Sequence, residues 1–204
     1  MTFIVTSDGA EVCLRYPRTG QLTARTIAHS LSQINRFTGH ASRPYSVAEH
    51  SLLVCDIVER VLHLDVHAQL AALMHDAHEC VAGDMHTPGK REVQGWDEWE
   101  YRWTWRVRSE YALLSVFAKH GSDIRHADRL ALAIERRDLM PSSPTPWEVL
   151  TGIEPIGWMQ LNTPEREAMT WREWAAAWHD RYEALDFARN EALFGGEPDS
   201  GFTL

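Results

Sequence analysis

Cysteine is scarce: three in 204 residues, Cys13, Cys55 and Cys80. They show no C-x-x-C spacing, and an odd number cannot pair fully within one chain, so we read them as reduced structural thiols rather than a disulfide scaffold or a thiolate zinc site. No apolar run approaches the roughly 20 residues that cross a bilayer. Met1-Thr2-Phe3-Ile4 also lacks the basic region and long apolar stretch of a secretory signal. A soluble, cytoplasmic protein without membrane partners is therefore expected. Positive charge is short as well, with 20 Lys and Arg against 29 Asp and Glu and a net charge of -9. That balance opposes binding to DNA or RNA polymers, which depends on many cationic contacts to phosphates. It leaves room for a small anionic ligand where positive charge is local, and Arg36, Arg43 and Lys90 are the candidates. There is no internal repeat or low-complexity tract.

What is present is globular: 44% hydrophobic residues and nine tryptophans, enough for one sizeable core and a single domain over residues 1–204. Residues 3–14 read as a β-hairpin, because Ser7-Asp8-Gly9 separates two apolar segments and Asp-Gly suits a tight turn. From about Thr26 the pattern is helical. Ile27, Leu31 and Ile34 form a stripe ending near Gly39, and Ser46-Val47-Ala48-Glu49 is a capping box opening a second helix. A third helix is expected over about Val66–Val81, a fourth over Asp97–His120 and a fifth over Asp123–Met140, stopped by Pro141. The tryptophans of the fourth helix read as core packing and offer a face for a homo-oligomer. Residues 141–163 are a proline-rich connection, the place for an active-site flap or else a plain surface loop. Thr163-Pro164 then starts a last helix to about residue 194, with a face of Ala168, Trp171, Ala175, Trp178, Tyr182 and Leu185. Gly195-Gly196 introduces a tail expected to be mobile.

Four metal-ligand residue types stand in the order His50, His75-Asp76 and Asp128. Two imidazoles and two carboxylates can close a shell around one divalent cation and leave positions for water or a phosphate oxygen. His50 falls on the apolar stripe of its helix, and buried groups of this kind are costly unless something pairs them. A buried His-Asp hydrogen-bond network without metal is the alternative. With thiolates absent, the mixed shell suits one Mn, Fe, Co, Ni or Zn better than Mg or Ca. Glu79 lies four residues beyond His75 and three beyond Asp76, on the same side of a helix. His78 is placed to reach the same side, which raises a second metal as a question; one metal is expected.

These residues resemble the H...HD...D signature of the HD-domain metal-dependent phosphohydrolases. The likeness extends to His75-Asp76-Ala77-His78-Glu79 followed by Gly83-Asp84-Met85-His86-Thr87-Pro88-Gly89-Lys90, which is similar to the HD-x-x-E and G-D-x-x-T-P-x-K segments of bacterial 5'-deoxynucleotidases. Tyr45 to Ser51 resembles their first-histidine helix, and Ala127-Asp128-x-x-Ala131 their last-aspartate helix. Phage dATP triphosphohydrolases share the scaffold. The resemblance covers about residues 26–140 and implies an all-α HD-domain helical bundle behind a small N-terminal β-hairpin. It implies that His50, His75, Asp76 and Asp128 hold the metal, that Glu79 is the general acid or orients the attacking water, and that Arg36 contacts phosphate while Asp84 reads a sugar hydroxyl. Phe37 stands where those enzymes have tryptophan, and His86 where they have proline. The expected function is removal of the 5'-phosphate from deoxynucleoside monophosphates; triphosphohydrolysis, with Arg43, Lys90 and Arg91 as further cations, and noncatalytic nucleotide sensing are the alternatives.

Overall fold

Asp8 accepts a hydrogen bond from the Thr6 hydroxyl at 2.5 Å, and Gly9 takes φ +84°, a conformation that side chains disfavour; together they reverse the chain. In the computed structural model, which describes residues 2–194, β1 (Phe3–Val5) therefore pairs antiparallel with β2 (Glu11–Cys13), Ile4 opposite Val12. The hairpin is as expected, and Val12 is its fully buried residue. All longer elements among the described residues are helical: the fold is all-α with an N-terminal hairpin. Among the described residues no helix is long and apolar enough to cross a membrane. The Gly195-Gly196 tail lies outside the described residues.

Helix α1 (Ala24–Leu31) starts at Thr23, whose hydroxyl accepts from the Thr26 N–H. It ends earlier than the sequence stripe suggests. Ile34 accepts from the Val47 N–H and Asn35 bridges Ser46, so residues 34–35 are drawn into extended pairing, and a 3-10 turn follows over Arg36–Gly39. Helix α2 (Val47–Arg60) begins with Ser46 accepting from the Glu49 N–H at 3.1 Å. The other half of the capping box does not form, because the Glu49 carboxylate is held by Arg43 and Arg166 instead.

The core centres on α2, which packs against α3 (Val66–Leu73), α7 (Leu114–Asp138) and α9 (Trp171–Phe194). Ile57, Leu70, Leu73, Ile134 and Trp178 are fully buried there, each aliphatic side chain contributing roughly 1.5–3 kcal/mol. Because α9 also covers α1, the core runs on past residue 140 to Trp178 and Leu185.

Three further helix boundaries differ from expectation. The third helix stops at Leu73, and the backbone bonds then tighten to i→i−3: His75 to Ala72, Ala77 to Met74, Glu79 to Asp76. A short α4 (Glu79–Ala82) resumes and Gly83, φ +81°, closes it. After α5 (Thr87–Glu92) and α6 (Trp96–Glu110) the chain breaks at residues 111–113, where Ala112 has φ +54° and Leu113 becomes fully buried. The break does not fall near Gly121, which sits inside α7; one glycine costs a helix only about 1 kcal/mol. Finally, α8 (Pro164–Ala168) and α9 are separate. Thr170 and Glu173 cap each other's backbone N–H groups and restart the helix, turning Trp174, Trp178 and Leu185 inward.

Candidate metal centre

The tight turn after α3 sets the site. Side chains of consecutive residues in an α-helix diverge by about 100°, but in this turn His75 Nε2 and Asp76 Oδ2 come within 3.1 Å of each other. From α2, fully buried His50 places Nε2 3.2 Å from His75 Nε2 and 3.6 Å from Asp76 Oδ2. From the middle of α7, Asp128 places Oδ1 3.2 Å from the same His50 nitrogen. All four residues chosen from the sequence therefore meet, and the ligand atoms of His50, His75 and Asp76 lie within 4.8 Å of one another.

Hydrogen bonds on the far sides of the rings show that a cation fits. His50 Nδ1 lies 2.6 Å from Glu135 Oε1, and His75 Nδ1 lies 2.7 Å from the Ala72 carbonyl oxygen. Neither acceptor brings a proton of its own, so each ring donates from Nδ1. Each Nε2 then turns a lone pair toward the other, and only a shared proton or a cation relieves that opposition. Two imidazoles and two carboxylates suit a divalent transition metal. In the metal-free protein a proton takes that place: burial and Arg36 disfavour a charged His50, yet Glu135 and Asp128 outweigh them and lift its pKa to about 9.

Glu135, which the sequence reading missed, ties the site together. Its fully buried carboxylate meets His50, the Tyr45 hydroxyl at 2.9 Å and Arg36 Nη2 at 3.1 Å. Burial opposes its ionisation, but Arg36 and His50 hold its pKa down at about 2. The available signal was its spacing, seven residues beyond Asp128 on the face of Ala127, Ala131 and Ile134, because a carboxylate in an apolar stripe must be paired.

Two cavities meet at the centre, and Asp76 and Asp128 line both. One, of about 620 Å3, brings together Arg36, Phe37, Glu79, Asp84 and Lys90 from the sequence reading. The proline-rich connection contributes Pro146 to Val149 to its lining, and the Trp147 ring centroid lies 6.1 Å from that of Phe37. Arg36 points Nη1 toward Asp76 at 3.8 Å. Glu79 is buried with Oε2 unpartnered, and burial with the neighbouring Asp76 and Asp84 raises its pKa well above the ordinary range. Burial also raises Asp84, against the pull of Arg36. The second cavity, of about 570 Å3, lies between α6 and α7.

Arg43 does not join them. Its guanidinium grips Glu49 at 2.7 and 2.8 Å and the Leu161 carbonyl oxygen at 2.8 Å, so its charge is committed to a buried carboxylate, and the expectation that it binds substrate is corrected. His86 caps α5, accepting from the Gly89 N–H. His78, Glu79 and Glu100 form a second cluster of ligand atoms, but the Lys90 ammonium already sits against Glu100.

No protein-family model matches the chain. It is similar to "Uncharacterized protein YfdR" of Escherichia coli (strain K12), 35% identical over 153 residues that span 75% of this chain and 81% of that protein. It is similar also to "Uncharacterized protein RCAP_rcc00048" of Rhodobacter capsulatus, 35% identical over 137 residues that span 65% of this chain and 70% of that protein.

Proposed function

We propose a function for a chain that belongs to one family with YfdR and RCAP_rcc00048: an HD-type, metal-dependent phosphohydrolase that removes the 5'-phosphate from nucleotides, deoxynucleotides foremost. One observation carries the reading. Two imidazole lone pairs and two carboxylates converge at a point that both a half-buried arginine and a buried glutamate border. A divalent cation bound there supplies acidity to water and draws charge from a phosphoryl oxygen.

The chain's own groups do the rest. Arg36, anchored through Nη2 to Glu135, keeps Nη1 for the phosphate oxygens, where a guanidinium offsets charge that grows in the transition state. Lys90 lines the same wall with its ammonium shared with Glu100. Burial and the neighbouring Asp76 and Asp84 penalise the Glu79 anion and raise its pKa, which suits it to protonate the departing O5'. A water oxygen bonds to phosphorus, the bond from phosphorus to O5' breaks, O5' takes the Glu79 proton, and the proton released from the attacking water returns to the Glu79 carboxylate. Asp84 offers an acceptor for a sugar hydroxyl, and Phe37 with Trp147 offers an aromatic wall for the base.

A panel of ribo- and deoxynucleoside 5'-phosphates, assayed for orthophosphate, tests this with the wild type and Glu79→Gln. The wild type should release phosphate, and the variant should keep its metal and nucleotide binding while kcat falls roughly a hundredfold or more. No release from any nucleotide would remove the reading. Metal content falling together with activity in the variant would make Glu79 a ligand instead of the acid.

A further inference from the structure

The aromatic wall of the candidate site stands on two fixtures that the chemistry above does not use. On one side, Phe37 and Thr38 both take left-handed backbone angles, φ +56° and +52°, which an aromatic and a β-branched side chain disfavour. The His40 N–H donates to the Phe37 carbonyl oxygen and closes that turn, and the Arg36 guanidinium carbon lies 5.4 Å from the Phe37 ring centroid. On the other side, Trp147 follows a stretch with little to hold it, since Pro141 to Pro146 are all exposed. Arg136, in the last turn of α7, reaches across to it. Its Nη2 donates to the Thr145 carbonyl oxygen at 3.3 Å, and its guanidinium carbon lies 5.2 Å from the Trp147 ring centroid. Among the described residues no other side chain outside the connection hydrogen-bonds to residues 141–147. Arg137 grips the later part of the connection instead, through the carbonyl oxygens of Ile156 and Met159. Arg136 itself does not line the cavity.

Arg36, Phe37, Trp147 and Arg136 thus form one row, a cation beside a ring at each end, from the metal centre to the end of α7. A guanidinium over an indole face is attracted by the charge distribution of the ring. A loop tryptophan held this way has already given up rotamer freedom, so a planar group that stacks on it need not order it first. The planes of Trp147 and Phe37 are tilted by 43°. They make a wedge, not a closed pair, and both rings line the cavity that also holds Glu79 and Asp84.

We propose that Arg136 is a positioning residue for the nucleobase: it holds Trp147 at the cavity, and the base of the substrate stacks on the wall that Trp147 and Phe37 form. The inference rests on the reading of the substrate as a nucleotide and deepens it. Binding draws on the base as well as the phosphate, so a nucleotide is favoured over the same sugar phosphate without a base. Because Arg136 acts through Trp147, its effect vanishes with that ring.

The metal-loaded wild type, Arg136→Gln, Trp147→Ala and the double variant are compared in two ways: calorimetric binding of a deoxynucleoside, and kcat and KM for its 5'-monophosphate beside base-less deoxyribose 5-phosphate. Trp147→Ala should weaken deoxynucleoside binding roughly tenfold or more. Arg136→Gln should weaken it about three- to tenfold and raise KM for the nucleotide by a similar factor, with a far smaller change in kcat. The base-less sugar phosphate should respond far less to either substitution, and Arg136→Gln should add nothing to Trp147→Ala. Both side chains are half-buried, so neither substitution empties the core. Equal losses for the base-less sugar phosphate would make Arg136 a phosphate contact and overturn the proposal. Additive losses in the double variant would overturn it too, as would unchanged deoxynucleoside binding in Arg136→Gln. If the wild type hydrolyses neither phosphate while deoxynucleoside binding still depends on Trp147 and Arg136, the wall stands and the phosphohydrolase reading fails.

Discussion

Glu135 meets an imidazole, a phenol and a guanidinium with one carboxylate. Through the first it sets the His50 tautomer, and through the last it fixes where Arg36 points. Glu135→Gln retains the shape and removes the charge. The expected outcome is a 10- to 100-fold loss of metal affinity, the usual size for a group that orients a ligand, in a protein whose circular dichroism is unchanged. Titration against a chelator of known affinity measures it, and an unaltered affinity would take Glu135 out of the orienting role. The ligands themselves were readable in the sequence because histidines beside carboxylates on apolar stripes are chemically conspicuous. Glu135 was not, being one acidic residue among 29 whose distinction appears only when α7 is laid against α2. Trp147 was hidden for a related reason: a loop has no period from which its direction can be read.

Helical periodicity gave the elements but not their ends. Apolar spacing persists through residues 66–81 and 97–138, and it carries no mark of a change from i→i−4 to i→i−3 bonding or of Ala112 at positive φ. The first of these interruptions matters for function, since it brings neighbours His75 and Asp76 to one point. The restart of α9 was legible in principle: Thr170-Trp171-Arg172-Glu173 is itself a capping sequence. Between elements, Glu49 of α2 joins Arg43 to Arg166 of α8. Arg43→Ala leaves a fully buried carboxylate with half its partners, and should cost roughly 2–3 kcal/mol in urea denaturation with little change in KM for a nucleotide. A raised KM at unchanged stability would return Arg43 to the substrate site.

For the whole molecule, the His50–Glu135 pair links stability to pH in the metal-free state. His50 rises from 6.5 to about 9 on folding, so its contribution is complete below 6.5 and is lost as pH climbs through 9. Glu135 falls from 4.5 to about 2, so its contribution is complete above 4.5 and is lost as pH drops through 2. Arg36 acts on Glu135 and Asp128 on His50 as well, and together these interactions are worth on the order of 3 kcal/mol, fully present between those two unperturbed values. Melting temperatures of chelator-treated protein should therefore fall on either side of pH 4.5–6.5, and a bound metal, which requires neutral imidazoles, should remove the loss on the alkaline side. A flat alkaline side without metal would contradict the assignment. The most direct test of the account as a whole is phosphate release from a nucleotide by one sample, measured before chelation, after verified metal removal, and after return of one equivalent of Mn, Fe, Co, Ni or Zn, with Asp76→Ala beside it. The account predicts activity that vanishes with the metal and returns with it, and a variant that neither binds metal nor recovers; undiminished turnover in the metal-free protein would contradict it.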